Sequence, residues 1–171
     1  SVLTEKNFFG GRIENIIAIR QEVNLPLLRK DFIIDEFQLH ESFAYEADAV
    51  LLIASVLGNK IPDFLSAAEE LGLECVVECH TQSEIALAVD SGASIIGINN
   101  RNLKTLEVDI NTTKELAKYI PDDKLLISES GIKNADDVRF LLDAGADAVL
   151  VGTTLMRSPN PKETLLRLTR C

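Results

Sequence analysis

The sequence predicts an α/β fold of the TIM (β/α)8-barrel type, present as about seven βα units. Three observations carry that prediction. Short, wholly apolar runs alternate with segments of helical period. Polar residues of chemical character stand directly after several of the runs. Glycines follow the last two. Strict βα alternation gives a parallel sheet, open or closed, and runs that are apolar throughout suit strands buried on both faces.

Taken in order, strands are expected to start near Ser1, Leu25, Ala49, Cys75, Ser94, Leu125 and Asp147. Asp48-Ala49-Val50-Leu51-Leu52-Ile53 is too apolar for a half-exposed strand, and so are Ser94 to Ile98 and Asp147 to Gly152. Thr81-Gln82-Ser83-Glu84 has the pattern of a capping box. Ile85, Ala88 and Val89 then share one helical face, and Gly92 stops the helix. Asn134 caps a later helix, with Asp136 and Asp137 favourable in its first turn. Val138, Leu141 and Leu142 form its apolar stripe, and Gly145 ends it. The phrases Gly-Ala-Ser (92 to 94) and Gly-Ala-Asp (145 to 147) make a weak internal repeat. The whole span 1–171 reads as a single domain, one βα unit short of eight, that begins inside a strand.

A chain of 171 residues with 46% hydrophobic content suffices for one core. No apolar run approaches the ~20 residues that span a bilayer, and the N-terminus carries no secretory pattern. Cys75, Cys79 and Cys171 are an odd set without a metal-type pair, which suggests free thiols in a reducing compartment. A formal charge of -10, no tryptophan and seven phenylalanines argue against a nucleic-acid surface. The expectation is a cytoplasmic domain with no nucleic-acid or membrane partner.

Strand C-terminal ends face the active site of such a barrel, so residues just after the runs are the candidates. Lys30 follows Pro26-Leu27-Leu28-Arg29 and reads as a general acid or an anion anchor; the alternative is a snorkelling surface lysine. Glu78 ends Cys75-Val76-Val77, and Glu129 ends Leu125-Leu126-Ile127-Ser128. A carboxylate at the end of a buried strand is costly unless it is paired or working. Two of them with one lysine favour acid–base chemistry. Asn99 and Arg101 add a neutral hydrogen-bonding group and a fixed cation, while Asn100 and Asn102 are expected to serve the turn. Ser130-Gly131 and Gly152-Thr153 follow the last two strands, where backbone N–H groups can hold phosphate; plain βα turns are the alternative. His40 and His80 lack partners at metal spacing, so no metal is expected. Asp35 reads as a cap and Asp48 as a loop acid. Phe8, Phe9 and Phe32 could be core or rim packing, or an apolar wall for an aromatic substrate.

Several motifs in order resemble the indole-3-glycerol phosphate synthase family. They are Ser1-Val2-Leu3-Thr4-Glu5 with Phe8-Phe9-Gly10-Gly11, Leu28-Arg29-Lys30-Asp31-Phe32, Ala47 to Ile53, and Val77-Glu78. Gly97-Ile98-Asn99-Asn100-Arg101-Asn102-Leu103, Ser128-Glu129-Ser130-Gly131-Ile132 and Val151-Gly152-Thr153 with Leu155-Met156-Arg157 complete the set. The resemblance implies closure of a pyrrole ring on carboxyphenylamino-deoxyribulose phosphate, with loss of carbon dioxide and water and no metal or organic cofactor. Lys30 then resembles the general acid and Glu78 the carboxylate of dehydration. Asn99 and Glu129 resemble substrate-positioning residues, and Arg101 and Ser130 match their surroundings. Gly131, Gly152 and Thr153 resemble the phosphate grip, and Phe9, Phe32 and Leu51 the wall against the aromatic ring.

Three departures stand out. Thr153 replaces a usual serine, Glu46 stands where glycine commonly precedes Ala-Asp with only a local effect expected, and the family's Glu-x-Lys-x-x-Ser-Pro-Ser motif is not found. Strand edges near Ser1 and Val149 would then lie open, which allows a homo-oligomer. The alternative functions are an impaired barrel fragment that binds phosphate or self-assembles, and another phosphate-binding barrel such as phosphoribosylanthranilate isomerase.

Overall fold

β-Branched and leucine side chains fit a pleated surface covered on both sides, and the apolar runs become strands accordingly. In the computed structural model, which describes residues 1–170, these are β1 (Val2–Leu3), β2 (Leu28–Lys30), β3 (Ala49–Ile53), β4 (Glu74–Cys79), β5 (Ile95–Asn99), β6 (Leu125–Glu129) and β7 (Ala148–Leu150). The helices are α1 (Glu14–Arg20), α2 (Phe37–Ala44), α3 (Ala54–Leu57), α4 (Ile61–Glu70), α5 (Gln82–Asp90), α6 (Asn111–Leu116), α7 (Ala135–Asp143), α8 (Thr153–Met156) and α9 (Pro161–Leu168). The Cα framework divides into two compact units, Ser1–Glu78 with Ala86–Ser94, and Cys79–Ile85 with the residues from Ile95 onward.

In the first unit β1 to β4 pair in parallel, with Leu3 opposite Lys30, Arg29 opposite Val50, and Ile53 opposite Glu78. β2 starts three residues later than expected. Pro26 cannot donate to a ladder, and Leu25 before it is exposed. Val50, Leu51, Leu52, Val76 and Val77 are all buried, and each such aliphatic side chain contributes about 1.5–3 kcal/mol. Ile16 of α1 packs with Val2, Leu27 and Ala47. Asp48, expected as a loop acid, staples two turns. Its carboxylate accepts the Leu27 N–H at 2.6 Å and pairs with Arg20. Burial raises the Asp48 carboxyl, but the Leu27 N–H and the Arg20 guanidinium outweigh it and hold it below its ordinary value. Arg20 also donates to the Glu46 carbonyl at 3.0 Å. Glu46 has φ 63, the left-handed region in which glycine is at ease.

In the second unit β5, β6 and β7 pair in parallel, with Asn99 opposite Glu129 and Glu129 opposite Leu150. Ile96, Ile98, Leu126, Val138 and Leu141 are buried. The last run is less buried than its pattern predicts. Ala148 is exposed and Val149 and Leu150 half-buried, since among the described residues β7 has only β6 beside it. Asn134 caps α7 in a reciprocal box with Asp137, at 3.0 and 3.2 Å. Leu142 differs from expectation and is 40% exposed. It sits on the opposite flank of the stripe from Leu141, one residue before the helix ends.

The cap of α5 is shifted. Thr81 Oγ1 accepts the Glu84 N–H at 3.2 Å, but the Glu84 carboxylate takes the N–H of His80 at 2.6 Å, one residue earlier than a capping box prescribes. Cys75 and Cys79 are buried; Cys171 lies outside the described residues. No described helix is long and apolar enough to cross a membrane.

Candidate active site

In the first unit, Lys30 is the last residue of β2 and Glu78 stands at the end of β4. The fold brings these residues, 48 positions apart, to 3.1 Å between Lys30 Nζ and Glu78 Oε2. Glu78 is 1% exposed and Lys30 half-buried. Withdrawing a carboxylate from water is expensive, and a facing ammonium offsets the cost while forming a strong charge-assisted hydrogen bond. Such a pair can hold a proton and pass it to a carbonyl or hydroxyl oxygen placed beside it.

Phe32 lies two residues beyond Lys30 and is half-buried, while Leu51 is buried within β3. Phe8 meets the Phe32 ring edge-to-face at 6.3 Å. Of the two neighbouring phenylalanines it is therefore Phe8 that touches Phe32, and Phe9 is exposed. Glu5 shapes the loop that carries both. Its carboxylate accepts the N–H groups of Asn7 at 2.7 Å, Phe8 at 2.6 Å and Phe9 at 3.1 Å. Burial raises the Glu5 carboxyl, but these three donors outweigh it, and the net shift is downward. The loop closes with Gly11 N–H on the Glu5 carbonyl at 2.7 Å, where any Cβ on Gly11 would overlap the Leu3 carbonyl.

In the second unit Asn99 and Glu129 end β5 and β6 as register partners, and both are buried. Asn99 Oδ1 accepts the N–H of Arg101 at 3.0 Å, and the Arg101 guanidinium donates to the Leu106 carbonyl at 3.0 Å. Arg101 is thereby held against its own loop, which is closed by an antiparallel bridge to Val108. Asn102 serves the turn as expected, accepting the Lys104 N–H at 2.8 Å.

Asn100 does more than a turn requires. It is 2% exposed and donates to Ser128 Oγ at 3.0 Å and to the Ser130 carbonyl at 3.1 Å. Its Oδ1 accepts the N–H and hydroxyl of Thr113, at 3.1 and 2.8 Å. Thr113 lies in the first turn of α6, whose N-cap Ile110 has no side chain to offer, so Asn100 satisfies that donor from β5's end.

Ser130 and Gly131 leave β6 with φ 66 and 88. A Cβ on Gly131 would stand 2.8 Å from methyls of Ile110 and Val108, so glycine is needed for space as well as conformation. Gly152 is the N-cap of α8 with open space around it, and Thr153 is exposed at the helix start. The hydroxyl of Thr154 donates to the Ile132 carbonyl. His40 is exposed on α2, and among the described residues no group of three or more His, Cys, Asp or Glu could hold a metal ion.

A profile of the family described as indole-3-glycerol phosphate synthase matches residues 1–168. A relative from Thermoanaerobacter sp. (strain X514), named indole-3-glycerol phosphate synthase, is 52% identical over 157 residues, covering 92% of this chain and 60% of its own. One of the same name from Acetivibrio thermocellus is 49% identical over 166 residues, covering 96% of this chain and 64% of its own. The chain thus spans about three fifths of the length of the curated relatives it matches. Among solved structures, 3-hexulose-6-phosphate synthase from Salmonella typhimurium superposes with a TM-score of 0.82 at 19% identity, covering 98% of this chain and 84% of that one. That likeness shows the fold alone, the parallel α/β architecture of TIM-barrel enzymes. The sequence likeness shows the family: the chain belongs to the indole-3-glycerol phosphate synthases.

Proposed function

We propose that this chain carries the ring-closing chemistry of its family, turning carboxyphenylamino-deoxyribulose phosphate into indole-3-glycerol phosphate with release of carbon dioxide and water. One observation carries the reading: the Lys30 ammonium and the buried Glu78 carboxylate meet at 3.1 Å from the ends of β2 and β4, the two strands that flank β3. In this reading Lys30 donates its proton to the sugar carbonyl oxygen as the aromatic carbon attacks. Decarboxylation restores aromaticity, and Glu78 serves the loss of water. Asn99 and Glu129 position the substrate, with Arg101 and Ser130 beside them. Phe32, Leu51 and Phe9 bound the aromatic ring, and backbone N–H groups at Gly131, Gly152 and Thr153 take the phosphate. The same reading places the chain in the cytoplasm.

The test is direct because the protein contains no tryptophan. Mixing the chain with the substrate should produce indole fluorescence. Lys30→Met should lower kcat by about 10²-fold or more, the scale at which a positioned proton donor contributes. A folded wild-type chain that yields no indole, or a Lys30→Met variant that turns over at the wild-type rate, would falsify the assignment.

A further inference from the structure

The residues on either side of Lys30 carry a dense buried polar network, and the proton-transfer reading does not use them. Successive strand side chains leave opposite faces, so Arg29 and Asp31 share the face that Lys30 does not. Arg29 is 3% exposed. Its guanidinium has five N–H donors, and every one is met. Nε donates to Thr4 Oγ1 at 3.2 Å and to Asp31 Oδ2 at 3.4 Å. One terminal nitrogen donates to the Gln38 carbonyl at 3.1 Å and Ser42 Oγ at 3.0 Å, both on α2. The other reaches Asp31 Oδ2 at 3.1 Å and Glu41 Oε2 at 2.8 Å.

Asp31 completes the arrangement. Its Oδ2 also accepts the Thr4 hydroxyl at 2.5 Å, and its Oδ1 accepts the N–H of Phe32 at 2.8 Å. Thr4 N–H in turn holds the Lys30 carbonyl at 3.2 Å. The backbone of Lys30 is therefore tied on both sides. Its carbonyl is held by the end of β1, and the next residue is locked to that same threonine and to a guanidinium anchored on α2. Two χ angles of Asp31 and the planar fork of Arg29 leave the β2 end little freedom. A lysine at position 29 could not reproduce this, because a point-charge ammonium lacks the fork.

We propose that Arg29 and Asp31 form a positioning clamp that sets the Lys30 ammonium against Glu78 and orients the Phe32 ring with it. The clamp acts through Lys30 and does not touch substrate, and its catalytic consequence rests on the function proposed above. A network that merely held the first unit together would affect stability alone. The clamp must also affect the chemistry of the residue it brackets.

The decisive variant is Asp31→Asn, which keeps shape and the Phe32 contact while turning an amide toward Arg29 and Thr4. Arg29→Lys is the second. The control is Asn160→Ala, which removes the side-chain cap of α9 and no bond of this network. With folded fractions matched by near-UV circular dichroism, both clamp variants should lose about 30–100-fold in kcat with KM little changed, as misplacement by about 1 Å does. Their pH–rate profiles should move as well, while Asn160→Ala changes only the melting temperature. Clamp variants that melt earlier but keep the wild-type kcat and pH profile overturn the proposal.

A wild-type chain without turnover would defeat the function reading instead. The clamp is then decided by NMR of 13C-labelled lysine. A Lys30 side-chain resonance whose titration shifts in Asp31→Asn supports it, and one that titrates as in wild type overturns it.

Discussion

Replacing Asn100 by alanine should destabilise the protein more than any other single truncation of a turn residue. Asn100 is buried and makes four side-chain hydrogen bonds, to Ser128 Oγ, the Ser130 carbonyl, and the N–H and hydroxyl of Thr113. The hydroxyls of Thr113 and Ser128 already lie 2.7 Å apart and can satisfy each other after the cut. Two groups cannot recover: the Thr113 N–H in the first turn of α6 and the Ser130 carbonyl. Each orphaned buried group costs about 1–3 kcal/mol. Water entering the vacated space reduces the sum, so the expected loss is about 3 kcal/mol, or roughly 6–12 °C in Tm for a chain of this size.

Urea denaturation at constant m-value measures the loss. A double-mutant cycle with Thr113→Val should show a coupling of about 1 kcal/mol or more, because the two residues share the bonds. A loss below about 1 kcal/mol, or strictly additive single variants, would refute the reasoning.

Glu46→Gly should raise stability by about 0.5–1 kcal/mol, since relief of a left-handed backbone at φ 63 exceeds the entropy that glycine adds to the unfolded chain. A thermal melt checks it, and a lower Tm would count against it. The Glu5 carboxyl lies below its ordinary value of 4.5 in the folded state, so the latch on the Phe8–Phe9 loop is fully formed above pH 4.5 and is lost as pH falls through the lower folded value. Amide protection at Asn7, Phe8 and Phe9 should fall in that window, and Glu5→Gln should remove the pH dependence. Burial, with the nearby Glu74 carboxylate, pushes the Cys75 thiol up to about 12, so native protein at pH 8 should leave Cys75 unalkylated by iodoacetamide; rapid labelling without denaturant would contradict its burial.

Much of the architecture was legible because most strands contain a short run apolar on both faces, as β3 and β5 do, and the pattern survives any uncertainty about the ends. What slipped were boundaries and flanks. β2 yields its first residues to Pro26, Leu142 falls on the solvent side of its stripe, and Glu84 reaches past its capping partner to His80. Lys30, Glu78, Asn99 and Glu129 stood out as polar residues terminating apolar runs. Arg29, Asp31 and Asn100 did not, because their partners are distant in sequence. Ser42 is 13 residues from Arg29, and Ser128 is 28 from Asn100. A buried asparagine and a turn asparagine look alike in an Asn-Asn-Arg-Asn stretch. One signal was available. A guanidinium one residue before the end of a buried run must be met by acceptors or the strand is not viable, and alternation assigns it to the face opposite Lys30. The strain at Glu46 was invisible without φ, although the motif already showed a glycine replaced there.

Neighbouring strand-end residues in this protein answer to different constraints. Arg29 is committed to α2 while Lys30 meets Glu78; Ser128 is committed to Thr113 while the next residue is Glu129. This alternation sets residues that hold the frame directly beside residues proposed for the chemistry. A library that randomises positions 30, 78, 99 and 129 should yield more folded chains than one that randomises 29, 31, 100 and 128. It also marks a particular vulnerability. Deleting a single residue just before β2 pulls each side chain back one place, setting Lys30 among partners cut for the Arg29 fork and the Asp31 carboxylate against Glu78, a double error that no point substitution can produce.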